Sequence, residues 1–203
     1  MAKELRLIVL ASGRGSNLQA IIDAIRQKKL QSKIVRVIVN VAGIQAIARA
    51  QKENIPTTVI ESRQIPRGEF FAKLATACLQ ENPDLIVLAG FMKILPPEFI
   101  KTFQGKIINI HPALLPNFPG LHAQEQALKA GVEQTGCTVH YVDEGCDTGP
   151  VILQKIEPIL PHDTVTSLSN RLLTKEHAAL VEAIGLIESD KVVLQGSKTL
   201  LRI

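Results

Sequence analysis

A chain of 203 residues with 46% apolar content is long enough to bury one sizeable core, and neither its charge density nor its complexity marks it as disordered. The net charge of +4 has no basic cluster beyond Lys28-Lys29, and aromatics make up only 3%, which disfavours nucleic acid as a partner and favours a small anionic substrate. No apolar run is long enough to cross a bilayer, and "MAKELRLIVLAS" lacks a signal-peptide cleavage pattern, so a soluble, cytoplasmic protein with no membrane partner is expected.

In chain order, "LRLIVLA" reads as a buried strand, and Leu18, Ile21, Ile22 and Ile25 then recur at helical spacing. "IVRVIV" is a second strand, followed by a helix around Gln45 to Glu53. "TTVI" is a short third strand, followed by a helix from about Gly68 to Gln80. "DLIVLAG" is a fourth strand, a short helix spans Pro97 to Phe103, and "GKIINI" is a fifth strand. Strands alternating with helices imply βαβ units and a parallel sheet covered on both faces.

After His122 the pattern changes. A helix near Gln124 to Lys129 precedes "GCTVHYV" and "GPVILQKIE", two strands suited to antiparallel pairing. A long helix from Thr164 to Glu188 and a short strand pair, "KVVLQG" and "KTLLRI", complete the chain. The expected architecture is one α/β domain over residues 1–203, a Rossmann-like, mostly parallel sheet with helices on both faces and a mixed, antiparallel C-terminal part. A nucleotide-binding half takes about 1–104, and a second half about 105–203.

Cys78, Cys137 and Cys146 are odd in number and widely spaced, which fits a reducing compartment better than a disulfide framework. The five histidines show no HxxxH or HExxH spacing, and no metal site is expected.

Four segments carry groups that can do chemistry. In "ASGRGSNLQAI", Gly13 and Gly15 turn the chain from a strand into an amphipathic helix, whose free N–H groups form a phosphate seat. The competing reading is a plain turn capped by Ser16 or Asn17. In "NIHPALLPNFPGLH", Asn109 and His111 point to the same side at a strand's end, where ligands of open parallel sheets bind. Asn can donate to a developing oxyanion and His can act as acid or base; otherwise Asn109 caps the loop and His111 lies at the surface.

In "YVDEGCDTGPVI", most carboxylates belong to the turn itself, but Asp147, at the start of the next strand, can pair with a histidine. His140 either lines the same cleft or faces solvent. Glu176 interrupts the apolar stripe of the last helix between Leu172 and Leu180. It either faces a cleft or sits beside His177 at the edge of the stripe.

"GRGSN", "LAGFMKIL", "NIHPALLPNFPGLHA" and "VHYVDEGCDTGPVI", in this order and spacing, resemble the phosphoribosylglycinamide formyltransferases, the folate-dependent transformylases of purine synthesis. The resemblance runs from about Leu5 to the final helix. It implies formyl transfer from the cosubstrate 10-formyltetrahydrofolate to the amine of glycinamide ribonucleotide, without a metal and with these two small molecules as partners. A homodimer stays open as the assembly. Carried over residue by residue, it implies a catalytic trio of Asn109, His111 and Asp147, and substrate contacts from Gly15, Ser16, Asn17 and Glu176. It further implies folate contacts from Arg67, Met92, Lys93, Ile94, Leu95 and Asn109.

The chain departs from the family pattern at Val39, Val41 and Gly43, where more polar residues are usual. Lys93 stands for an Arg, and Gln124 for a second His. Three further readings keep part of the pattern. A formyltetrahydrofolate hydrolase shares the trio but carries an extra N-terminal domain, whereas this chain begins at the first strand. A methionyl-tRNA formyltransferase needs a C-terminal RNA-binding domain, for which few residues follow Ile187. A non-catalytic phosphometabolite-binding module would use the Gly15 loop alone.

Overall fold

The most apolar strand occupies the middle of the sheet. In β1 (Arg6–Ala11), Leu7, Val9 and Ala11 face one helical layer while Ile8 and Leu10 face the other, and all five are fully buried. At about 1.5–3 kcal/mol for each large aliphatic side chain fully buried, a strand loaded on both faces is most stable where both faces are covered. The computed structural model describes residues 3–63, 65–196 and 198–201.

β1 lies between β2 (Lys33–Val39) and β4 (Leu85–Leu88), parallel to both. β3 (Thr57–Val59) closes one side. Beyond β4 come β5 (Ile107–His111), β6 (Gln134–Tyr141) and β7 (Val151–Pro158), giving the order β3-β2-β1-β4-β5-β6-β7. The first five strands are parallel; β6 runs antiparallel to β5, and β7 antiparallel to β6. This is the mostly parallel sheet with an antiparallel C-terminal part expected from the sequence. A separate hairpin joins β8 (Val192–Gln195) and β9 (Lys198–Leu201). Arg202 and Ile203, the last two residues of the predicted final strand, lie outside the described residues.

Helices α1 (Ser16–Arg26), α2 (Gln45–Lys52) and α6 (Val165–Glu188) cover the face that carries Leu7 and Val9. Helices α3 (Arg67–Gln80) and α4 (Pro97–Thr102) cover the face of Ile8 and Leu10, with Phe70, Leu74 and Phe99 packed against it. α5 (Ala123–Ala130) packs on α6. Thr164 caps α6: its side chain accepts from the Ser167 N–H at 3.1 Å, and Ser167 Oγ accepts from the Thr164 N–H at 2.9 Å. Among the described residues, no helix is long and apolar enough to cross a membrane.

The chain leaves β1 toward β2 on one side and enters β4 on the other, so a crevice opens at the C-terminal ends of β1 and β4. The loops after β1, β4 and β5 all meet there. The β5 exit is fastened from β6. The fully buried Thr138 hydroxyl donates to Ala113 O at 2.7 Å, and accepts from the Leu115 N–H at 3.1 Å and Gln154 Nε2 at 2.9 Å. The Leu115–Pro116 peptide is cis.

Because Thr138→Val keeps the shape but strands those buried partners, it should lower unfolding stability by about 1–3 kcal/mol in a denaturant titration. An unchanged midpoint and slope would show that the hydroxyl does not fasten the loop.

Candidate active site

Asn109 and His111 share one face of β5, as their spacing predicts, and the antiparallel register places His140 directly opposite Asn109 and Thr138 directly opposite His111. His111 is 4% exposed and His140 1% exposed, so both imidazoles are inside the protein rather than at its surface. The two expectations left open in the sequence, a surface His111 and a solvent-facing His140, do not describe this structure.

Asp147 comes to these side chains from the turn between β6 and β7. Its φ of +57° lies in the left-handed region, which non-glycine residues seldom enter, and this conformation presents the carboxylate to the strand ends. Two residues on, the chain passes so close to the Tyr141 carbonyl that a Cβ at Gly149 would overlap it. Asp143 uses its carboxylate within the turn, accepting from the Gly145 N–H at 3.1 Å and the Thr148 hydroxyl at 2.7 Å. The turn therefore spends one carboxylate on itself and delivers another.

Four groups from outside the turn surround that delivered carboxylate. Asp147 Oδ2 lies 3.2 Å from His111 Nδ1 and accepts the Gly120 N–H at 2.9 Å. Asp147 Oδ1 lies 3.4 Å from Asn109 Nδ2 and 3.6 Å from His140 Nε2. Burial pushes the carboxyl up, but the His140 ring, the Gly120 N–H and the charge of His111 outweigh it and hold Asp147 down at about 2.

The other ring nitrogen of His111, Nε2, donates to Phe118 O at 2.8 Å. With a carboxylate on one side and a carbonyl on the other, the ring serves both only when both nitrogens carry protons. His140 is fixed by its Nδ1–H donating to Tyr141 O at 2.8 Å, which turns Nε2 toward Asn109 Nδ2 at 3.3 Å. Both Asn109 N–H contacts are long, and a stronger acceptor would readily take one over.

The loop after β1 supplies a second polar region. Gly15 is the N-cap of α1, with φ +70°, and no side chain caps the helix; the turn capped by Ser16 or Asn17 is not formed. A Cβ on Gly15 would lie 2.8 Å from Ala46 Cβ, so α2 packs where any other residue's side chain would go. Arg49 of α2 braces the loop, donating to Arg14 O at 2.9 Å and Gln19 Oε1 at 3.0 Å.

Asn17, 7% exposed, donates from Nδ2 to Glu176 Oε2 at 3.1 Å, while its buried Oδ1 has no partner among the described residues. Glu176, 8% exposed, is pushed up by burial, against which the Asn17 hydrogen bond acts. The break in the α6 stripe thus marks a buried carboxylate facing α1, not a partner of His177.

Between these regions lies the segment after β4. Phe91 and Leu95 are buried anchors, while Met92 and Ile94 are 68% and 72% exposed. Arg67, first residue of α3, donates from Nη2 to Ile94 O at 3.2 Å and lies 5.7 Å over the Phe71 ring. A cation gains nothing from a helix N-terminus, and here it leans onto the segment instead. Lys93 is half-buried on the same segment. Val39 is absorbed into the core, and Asn40 beside it bonds Ser12.

A cleft of about 580 Å³ opens elsewhere, at the N-terminal edge of the sheet among Arg6, Ile25, Lys33, Ile55 and Glu81. Arg6 already pairs with Glu81 and Arg26 with Glu53 there, and none of the candidate catalytic or binding residues lines it. Among the described residues, no three or more His, Cys, Asp or Glu side chains are grouped to hold a metal ion.

The sequence matches the family described as formyl transferase over residues 5–184. The chain belongs to that family. It is 42% identical over 175 residues to the phosphoribosylglycinamide formyltransferase of Escherichia coli (strain K12), covering 86% of this chain and 82% of that protein. It is also 49% identical over 187 residues, 91% of this chain, to the trifunctional purine biosynthetic protein adenosine-3 of Drosophila pseudoobscura pseudoobscura, of whose length the match spans only 14%.

The glycinamide ribonucleotide transformylase 1 of Symbiobacterium toebii superposes with a TM-score of 0.95 at 39% identity, covering 98% of this chain and 95% of that one. A formyltetrahydrofolate deformylase from Pseudomonas syringae pv. tomato superposes with a TM-score of 0.93 at 26% identity, covering all of this chain and 67% of that one.

The depressed carboxyl has a testable consequence. Its stabilisation, about 2 kcal/mol, is fully present above the ordinary carboxyl value and fades as the pH falls through about 2. Carboxyl-carbon NMR should therefore place the Asp147 midpoint well below that of an ordinary aspartate. A midpoint at or above 3.8, the unshifted value, would mean that the surrounding donors do not act as described.

Proposed function

We propose that this protein transfers the formyl group of 10-formyltetrahydrofolate to the primary amine of glycinamide ribonucleotide. The products are N-formylglycinamide ribonucleotide and tetrahydrofolate, a step of de novo purine biosynthesis in the cytoplasm. The observation that carries the proposal is the convergence of Asn109, His111 and Asp147, at 3.4 and 3.2 Å, on the same sheet edge as an uncapped helix terminus and an exposed apolar segment. Family membership supports the chemistry, and the glycinamide-type relatives at about 40% identity support the acceptor.

In this reading the acceptor's phosphate sits on the N–H groups of Gly15, Ser16 and Asn17, where the helix dipole and unpaired donors favour an anion. Glu176 meets polar groups of the same ligand. Met92 and Ile94 offer the folate ring an apolar surface, and Lys93, Leu95 and Arg67 complete or hold that segment. The folate then lies across the sheet edge, with its formyl carbon at Asn109. The phosphate seat falls in residues 1–104 and the acid–base set in residues 105–203, as one formyltransferase domain.

The amine nitrogen attacks the formyl carbon, a C–N bond forms and the carbonyl electrons move to oxygen. Asn109 Nδ2–H and His111 Nε2–H stabilise that oxyanion, the latter turning from Phe118 O toward it. Asp147 orients His111 by accepting its Nδ1–H, and the surplus amine proton passes, directly or through water, to that hydrogen-bonded pair. As the oxyanion collapses, the bond to folate N10 breaks and N10 receives a proton from His111. The proton lost by the amine and the proton gained by N10 balance, and the protein forms no covalent intermediate. His140 positions Asn109 through the 3.3 Å contact.

The deformylase likeness keeps one rival reading in view, with water in place of the amine. It leaves the helix terminus at Gly15 and the buried Glu176 without a task.

Purified protein mixed with 10-formyltetrahydrofolate should release tetrahydrofolate only when glycinamide ribonucleotide is present. Release without the acceptor would assign the hydrolase reading, and no release in either case would leave a binding module. His111→Ala and Asp147→Asn should each lower kcat by roughly 10²–10⁴-fold, the scale of acid–base and oxyanion groups. Near-normal turnover by Asp147→Asn would remove the role assigned to that carboxylate.

A further inference from the structure

We infer that Ser12 is a positioning residue that fastens the folate-facing segment, residues 91–95, to the end of β1 where the phosphate loop begins, so that one hydrogen-bonded hinge holds the folate site. This rests on the assignment of those two regions to folate and phosphate under the proposed function.

The segment has no regular structure of its own. Phe91 and Leu95 pin its ends by burial, and the residues between them present Met92 and Ile94 outward. Where β1 and β4 end, their ladder continues for one more rung, with the Ser12 N–H donating to Gly90 O at 3.0 Å. Beyond that rung no main-chain partner reaches the segment among the described residues. The Ser12 side chain takes over, its Oγ accepting the Met92 N–H at 2.8 Å.

A serine hydroxyl has one proton, and here Asn40 uses it: Ser12 Oγ donates to Asn40 Oδ1 at 2.6 Å. That leaves a lone pair facing Met92, so the acceptor is oriented rather than free to rotate. Asn40 is 4% exposed and anchored in turn, donating from Nδ2 to Ser62 Oγ at 3.2 Å while its own carbonyl accepts the Ser62 N–H at 3.3 Å. One hydroxyl therefore joins the C-terminal ends of β1, β2 and β4. Ser12 immediately precedes Gly13, so the same residue begins the loop that turns into α1. The only other polar tie on the segment among the described residues is Arg67 to Ile94 O, at its far end.

Removing the hydroxyl strands two partners at once, the Met92 N–H and Asn40 Oδ1, without opening a large cavity. In the full-length chain, Ser12→Ala should raise KM for 10-formyltetrahydrofolate about 5- to 30-fold, the scale of one lost hydrogen bond with stranded partners, while kcat and KM for glycinamide ribonucleotide hold. Ser12→Thr keeps the hydroxyl and should restore the wild-type KM.

Amide hydrogen exchange reads the same bond without substrates. The Met92 amide should exchange faster in Ser12→Ala than in the wild type or Ser12→Thr. Unchanged Met92 exchange in Ser12→Ala, or a rise in both KM values with a lowered melting temperature, would overturn the inference. If the wild type transfers no formyl group yet Met92 exchange still rises in Ser12→Ala, the hinge stands and the formyl-transfer reading falls.

Discussion

The reacting edge of the sheet is organised around one carboxylate, Asp147, which meets donors from β5 and from its exit loop on both of its oxygens. Asp147 is delivered by a turn whose backbone enters the left-handed region, an arrangement that costs of order 1–3 kcal/mol and persists only where its surroundings fix it. The surroundings here are the Gly120 N–H, the two imidazoles and Asn109. They come from β5, from β6 and from the loop that leaves β5. Asp147 is therefore both an organiser of that loop and a partner of His111. The balance of effects is legible in its acidity: burial alone would raise the carboxyl, and the donors reverse it.

The rest of the site follows from where the strands stop. β1 and β4 are neighbours whose connections leave on opposite sides, so two loops diverge from one point. One becomes a helix start with free N–H groups, the other a segment with buried ends and an exposed apolar middle. β5, next in order, places Asn109 and His111 beside that point. An uncapped helix start, an exposed apolar surface and a set of hydrogen-bonding side chains thus meet at one edge, without any long loop being needed to assemble them.

Much of this was legible in the sequence. The alternation of "RLIVLA" with the helical spacing of Leu18 to Ile25 carries the parallel α/β pattern, because a buried parallel strand and an amphipathic helix have different periods. Asn109 and His111, two apart on a strand, must share a face. Glu176 stood out because a carboxylate inside an apolar stripe needs a partner.

What the sequence could not carry was register. That His140 faces Asn109, and Thr138 faces His111, is a property of how β5 and β6 slide against each other; a shift of one residue would turn His140 away. The contacts of Gly120 and Phe118 were equally hidden, since a backbone N–H or C=O has no residue type to mark it. The Ser12 link to Met92 spans 80 positions and joins a loop to a loop, outside the reach of any local pattern.

The central claim is that His111 and Asp147 act as one unit, the carboxylate working through the ring it orients. The most direct test is a double-mutant cycle on single-turnover formyl transfer, with His111→Ala, Asp147→Asn and the two combined. If the pair is one unit, the double variant is about as slow as the slower single variant, because the second change removes nothing that the first had left. If the two losses multiply, each side chain acts alone, and Asp147 does not work through the His111 ring.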